Sequence, residues 1–183
     1  MAVTDITPMT WTNSVADLTD TNFNTEIRDS YLLQLNPPAC GLQRTTNLTL
    51  VTSTWTAVGF DTLLYDTLSD DTAVQWASGA NSKITARCDG WYECVASARI
   101  VTPTSAMEFT AAFRINGTDT WFGGSQNCPS SPVTTQNVTV ANLLQLSSGD
   151  YVELVLWQDA GSNNTVTATG LTPGFSMIRR RGI

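Results

Sequence analysis

Residues Gly90 to Val101 read GWYECVASARIV, and Tyr92, Cys94, Ala96, Ala98 and Ile100 place an apolar side chain at every second position of that run. A period of two belongs to a pleated strand, whose successive side chains point to opposite faces, and not to a helix. One face of this strand is therefore given to a core or to a contact between subunits. Further runs of the same kind are separated by Gly, Asn, Asp, Ser and Pro. They lie at Leu48 to Val51, Ala57 to Phe60, Lys83 to Arg87, Glu108 to Asn116, Thr120 to Gly123, Gln136 to Leu146, Tyr151 to Gln158, Thr165 to Thr169 and Gly174 to Arg180. Short strands at this spacing predict an all-β, antiparallel sandwich of about ten strands. Asp89-Gly90 reads as a primed hairpin turn between the Lys83 run and the Trp91 run, because Asp-Gly supplies positive φ cheaply. Ser148-Gly149-Asp150 reads as the tight turn that starts the strand at Tyr151.

Towards the N-terminus the period changes from two to four. Phe23, Ile27, Tyr31 and Leu35 form one stripe of an amphipathic helix at about residues 20–35, with Asp20, Thr21 and Asn22 available to cap it. Pro37 and Pro38 stop that helix, since proline lacks the amide hydrogen and pushes its predecessor out of the helical region. The sequence divides accordingly into an anchor segment, 1–45, and a head domain, 46–183. A lone amphipathic helix cannot hide its stripe by itself, so it packs on its own domain, on symmetry mates or on a host structure. Anchoring to a host structure is the expectation taken forward.

Composition narrows the function. Charged residues make up only 14% and the polar positions are crowded with Thr, Ser and Asn, which suits sheets and turns. Nine basic residues against sixteen acidic ones, a formal charge of −7, argue against a phosphate-tracking nucleic-acid binder. No apolar run is long enough to span a bilayer and no basic-then-apolar leader opens the chain, so the expectation is synthesis in a cytoplasm without membrane insertion. Cys40, Cys88, Cys94 and Cys128 form no CxxC pair and histidine is absent, which argues against a structural zinc site; the cytoplasmic setting predicts buried free thiols, with a Cys40–Cys128 bridge left open. The lack of histidine also removes Ser-His-Asp and Cys-His catalysis, and no carboxylate pair is grouped as a glycosidase needs. No enzyme, no cofactor and no metal site is expected.

Several local features have a plain reading beside a functional one. DTLSDD, Asp66 to Asp71, lacks the spacing of a calcium loop and reads as a solvated loop. Trp121 and Phe122, followed by Gly123-Gly124, are candidates for a partner-contact loop, with core or subunit packing as the plainer role. Arg179-Arg180-Arg181 reads as a solvated cationic end. The four Asn-x-Ser/Thr sequons are given no role.

The pieces TWTAVGFDTLLYDT (Thr54 to Thr67), GWYECVASARIV, FRING (Phe113 to Gly117), LLQLSSGDYVELVLWQDAG (Leu143 to Gly161) and GFSMIRR (Gly174 to Arg180) are more informative in order than singly. Together they resemble the trimeric jelly-roll heads of the tumour necrosis factor and complement globular-head superfamily, modules also found in tailed-bacteriophage virion proteins. The segment WTNSVADLTDTNFNTEIRDSYLLQL independently resembles the leaders of such virion proteins through Trp11, Asn24 and Ile27-Arg28-Asp29. The resemblance implies a homotrimer with an apolar axial surface, to which Tyr92, Cys94, Ala96, Ala98 and Ile100 or the last strand would contribute. It further implies a structural protein on the virion surface, held to capsid or tail proteins through residues 1–45 as a decoration, head-fibre or minor tail protein. The alternative it leaves is an adhesin for a host surface glycan or protein.

Overall fold

The computed structural model describes residues 35–68, 74–101, 106–118, 122–128 and 135–181. Within them run β1 (Ala39–Gln43), β2 (Leu48–Leu50), β3 (Thr56–Ala57), β4 (Thr62–Asp66), β5 (Lys83–Thr85), β6 (Gly90–Val101), β7 (Met107–Ile115), β8 (Phe122–Cys128), β9 (Thr135–Leu146), β10 (Tyr151–Gln158), β11 (Asn164–Val166) and β12 (Gly174–Arg181). They form two antiparallel sheets packed face to face. The larger runs β4-β1-β12-β6-β9, with β11 and β2 continuing beside the far end of β6. The smaller centres on β10, flanked by β5 and β3 on one edge and by β7 and then β8 on the other. This is the all-β sandwich that the alternation predicts, in the jelly-roll form that the resemblance implies.

The core lies between the sheets, and the period of two decides which residues enter it. From β6 come Tyr92, Cys94, Ala96, Ala98 and Ile100, all buried; from β12 come Phe175 and Met177. The smaller sheet answers with Phe109, Ala111 and Phe113 of β7 and Val152, Leu154 and Leu156 of β10. Phe175 meets Phe113 across the gap at 5.5 Å between ring centroids and Phe60 at 6.1 Å. Tyr92 keeps its hydroxyl satisfied inside the core by donating to the Cys88 carbonyl at 2.8 Å.

Several expectations are corrected. The division at residue 45 falls too late: β1 lies between β12 and β4, and its Cys40 and Leu42 are buried, so the head already includes Ala39–Gln43. The prolines that end a helix also favour the extended chain that enters a strand. Of the anchor stripe, Phe23, Ile27 and Tyr31 lie outside the described residues, while Leu35 is 64% exposed. Asp89-Gly90 makes no hairpin, because β5 pairs with β10 in the smaller sheet and β6 with β12 and β9 in the larger. Gly90 is required for another reason: a Cβ there would stand 2.5 Å from the Arg181 carbonyl oxygen and 2.7 Å from the Arg179 guanidinium. The primed turn sits instead at Asn116-Gly117, where φ is +53° and +71° and the Thr118 amide donates to the Ile115 carbonyl at 3.0 Å. The Ala57 to Phe60 run contributes only Thr56–Ala57 as strand, while Val58 and Phe60 enter the core from the connection that follows.

Polar side chains close the irregular connections. Asp61 accepts from the Thr45 amide at 2.7 Å and from the Thr45, Thr46 and Thr62 hydroxyls at 2.9, 2.9 and 3.1 Å, clipping the β1–β2 loop to the start of β4. Its slight burial would raise the carboxyl, but these four donors outweigh it and hold Asp61 at about 2. The folded value lies below the ordinary one, so the contribution is whole above pH 3.8 and is lost as pH falls towards 2. Acid titration of wild type and Asp61→Asn should show a stability difference that narrows through that window; a constant offset would contradict the clip. Phe175→Ala should cost about 3–5 kcal/mol in urea unfolding, as a large aromatic removed from a core contact between sheets; a loss under about 1 kcal/mol would show that the ring cluster is not central.

Candidate functional site

With β6 committed inward through its even-numbered residues, its odd-numbered residues are exported to the outer face of the larger sheet. Strand register lines them up with neighbours in rows. One row runs Tyr65, Gly41, Ser176, Val95, Ala141; the next runs Ala39, Ile178, Glu93, Leu143; on the other side stand Gln43, Gly174, Ser97, Thr139. The middle of this face is built from small side chains. Tyr65 lies across Gly41, where an added Cβ would be 2.4 Å from the ring. Tyr65 and Leu64 thus wall a depression of about 230 Å³ floored by Gly41, Val95, Ser97 and Ser176.

The face is nearly free of charge. Within the three rows the one ionisable carboxylate is Glu93, and Arg180 pairs with it at the corner. Leu64, Tyr65 and Leu143 are 58%, 42% and 50% exposed, which puts apolar surface at both sides of the small-residue centre. A flat, uncharged centre with aromatic and aliphatic shoulders has the composition of an interface core. The outer face of the smaller sheet differs. There Arg114 and Glu153 form an ion pair at 2.8 Å, Ser82 donates to Glu153 at 2.8 Å, Lys83 sits 4.1 Å over the Tyr151 ring, and Trp55 packs on Trp157.

The sequence-derived candidates fall in three places. Tyr92, Cys94, Ala96, Ala98 and Ile100 all line the core between the sheets. Phe122 opens β8 opposite Phe113, a strand position and not a loop, because the strand expected at Thr120 to Gly123 is shifted to Phe122–Cys128; Trp121 lies outside the described residues. Arg179 is buried and donates to the Asp89 carbonyl, so it is not part of a solvated end, while Arg180 and Arg181 are exposed, Arg181 standing 5.7 Å from the Trp91 ring. Asp66 is not in a solvated loop either: it is buried and accepts from the Gln75 and Leu68 amides at 2.7 and 3.0 Å. Val95, Ser176, Ile178, Tyr65 and Leu143 are what the sequence reading missed. Their signal was the other half of the same alternation, unusually poor in charge for an outward face.

Nothing on this face is poised for covalent chemistry. Among the described residues no three Asp, Glu or Cys side chains gather as a metal site. All four thiols are free and buried. Burial, with Asp66 nearby, pushes Cys40 up to about 12, and burial raises Cys94 and Cys128 as well. Thiolates are the reactive form, so burial holds Cys40, Cys94 and Cys128 in the less reactive thiol form at neutral pH.

No family model matches the sequence, and no curated protein does. Solved structures match by shape. The globular domain of zebrafish complement 1qA is 17% identical with a TM-score of 0.51, covering 80% of this chain and 99% of that one. Murine APRIL is 12% identical with a TM-score of 0.56, covering 78% and 98%, and the Eiger TNF of S. frugiperda is 10% identical at 0.53, covering 80% and 94%. At these identities the likeness is one of fold, the jelly roll of complement and TNF-type globular domains. Iodoacetamide at pH 8 should leave Cys40, Cys88, Cys94 and Cys128 unmodified in the native protein and modify all four in denaturant; rapid native labelling of Cys40 or Cys94 would contradict their burial.

Proposed function

We propose that this chain is a non-enzymatic structural protein of a tailed-bacteriophage virion. It forms a homotrimeric jelly-roll knob, made in the host cytoplasm, exposed on the particle surface, and attached to capsid or tail by the segment preceding Ala39. The observation that carries the trimer is the outer face of the larger sheet. Val95, Ile178, Leu143 and Tyr65 form a largely apolar surface, its one carboxylate Glu93 paired with Arg180, whose small centre admits close approach of another backbone. A face that meets a different surface on its neighbour closes into a ring when the rotation is threefold. The virion setting is supported by the sequence of residues 11–35 and by the ordered pieces from Thr54 to Arg180.

A second reading, an adhesin for a host surface glycan or protein, is favoured by one end of the same outer face. Arg99 stands there, on β6 beyond Ser97, beside a pocket.

Sedimentation of the full chain should give three times the 19.8 kDa monomer, and Val95→Glu should reduce it to one copy without unfolding, since Val95 is only half-buried. A monomeric wild type would overturn the trimer, and a trimeric Val95→Glu would overturn the face. Deleting residues 1–35 should leave a folded head that no longer enters particles; retained incorporation would sink the anchoring claim.

A further inference from the structure

We propose that the pocket beside Arg99 binds the carboxylate of an acidic sugar. The pocket measures about 260 Å³ and is lined by Ser97, Arg99, Asn137, Thr139, Leu171 and Thr172. Arg99 lies opposite Asn137 in the β6–β9 register, with Ser97 opposite Thr139, so guanidinium, amide and hydroxyls share one end of the outer face.

The wall of the pocket is built in advance. The Thr167 amide donates to the Arg99 carbonyl at 2.9 Å, the Ala168 amide donates to Asn47 Oδ1 at 2.9 Å, and the Pro173 carbonyl accepts from the Arg44 amide at 2.9 Å. Between these ties Gly170 takes φ of +84°, and a Cβ there would come within 2.7 Å of Arg99 Nη1. A glycine is needed both for the left-handed turn and for the close passage of the loop against the guanidinium.

The Arg99 side chain has no partner among the described residues, and its Nε is buried without an acceptor. Every other described arginine is engaged. Arg44 donates to the Gly59 and Asn47 carbonyls, Arg87 to Val74 and Arg179 to Asp89, while Arg114 pairs with Glu153, Arg180 with Glu93, and Arg181 lies over Trp91. In a chain with sixteen acidic residues against nine basic ones, a positioned arginine without a carboxylate has been left one by the fold. Arg44 Nε and Gln75 Oε1 are also buried without a partner, but those side chains bond through their other polar atoms. The Arg99 side chain bonds to no described residue, and a buried polar group left so calls for an absent partner.

The ligand follows from the donors. A single planar guanidinium matches one carboxylate through two parallel hydrogen bonds. The Ser97, Thr139 and Asn137 side chains, all exposed, suit ring hydroxyls, and Leu171, 62% exposed, offers an apolar edge to the carbon face of a sugar. The volume lies just under the range of about 300–1,000 Å³ typical of drug-sized ligands, which fits one sugar ring. This assignment names the ligand class of the adhesin reading and does not depend on the virion setting; because Ser97 also floors the depression, it requires the subunit contact to leave this end of the face open.

The test is titration of the full-length protein with glucuronate, glucose and inorganic phosphate, following the Arg99 Nε–H resonance by NMR. Glucuronate should shift it saturably, glucose should not, and Arg99→Gln should weaken glucuronate binding, measured by calorimetry, by about tenfold or more. Arg99→Lys, which keeps the charge and loses the fork, should fall between them and serves if the Gln variant does not fold. The proposal is overturned by absence of saturation, by equal binding in Arg99→Gln or Arg99→Lys, or by phosphate binding as tightly as glucuronate, which would mark a plain oxyanion site. Sedimentation of the same samples reports the oligomer separately, so loss of either reading is told apart from loss of the other.

Discussion

Phe175 is the second residue of β12, in the middle of the larger sheet, and its ring meets Phe113 of the smaller sheet and Phe60 from the β3–β4 connection. Through this cluster the two sheets are held at one distance and one register. A slip of one residue in β12 would turn Phe175 outward and bring Ser176 into the core, exchanging every side chain of the strand between faces. Fixing Phe175 inward therefore fixes Gly174, Ser176 and Ile178 outward, and β6 and β1 follow through their ladders to β12. The composition of the outer face is a consequence of how the core is packed.

The connections between sheets are held by side chains acting as backbone partners. Arg44 holds the Gly59 and Asn47 carbonyls, Arg87 holds Val74, and Arg179 holds Asp89 beside the tight approach at Gly90. Asp66 does the converse work, accepting the Gln75 amide and side chain where the chain returns from β4. Buried backbone groups outside the ladders must find such partners. This explains how a chain with few cations uses most of the described ones internally, and why Arg99, whose side chain has no partner among the described residues, stands apart.

The long strands were legible because apolar residues recur at every second position on one side, five in β6, three in β10 and two in β12, with Val138, Val140, Leu144 and Leu146 in β9: all four strands lie within a residue of where the alternation puts them. β1 and β4 were not. In Ala39–Gln43 the core needs only Cys40 and Leu42, while Gly41 is dictated by the Tyr65 ring above it, a contact between strands invisible in either alone. In Thr62–Asp66 a bulge opposite Gly41 and Leu42 breaks the period that a strand would show. Asp89-Gly90 was a sound turn signal misassigned, because close packing by Arg181 and Arg179 demands glycine as strictly as positive φ does. The outer face was readable only in hindsight of the core: a half-buried row of small residues announces nothing until register shows which neighbours share it. Arg99 was unreadable for the same reason, since its lack of a partner is a property of the folded surroundings.

The bulge in β4 also bears on how copies of this chain would meet. β4 is an edge strand, with Leu63, Leu64 and Tyr65 exposed, and an exposed apolar edge invites open-ended pairing between strands. The register shift against Gly41 and Leu42 interrupts the ladder there, and Tyr65 is turned over the sheet face onto Gly41. A bulged edge is a poor template for another strand. Apolar surface that would otherwise propagate a fibre along the edge is thereby moved onto the face. Surfaces that meet face on can close into a ring of fixed number, whereas edge pairing has no stopping point. The same five residues, TLLYD, thus protect the edge and supply the shoulder of the proposed assembly surface.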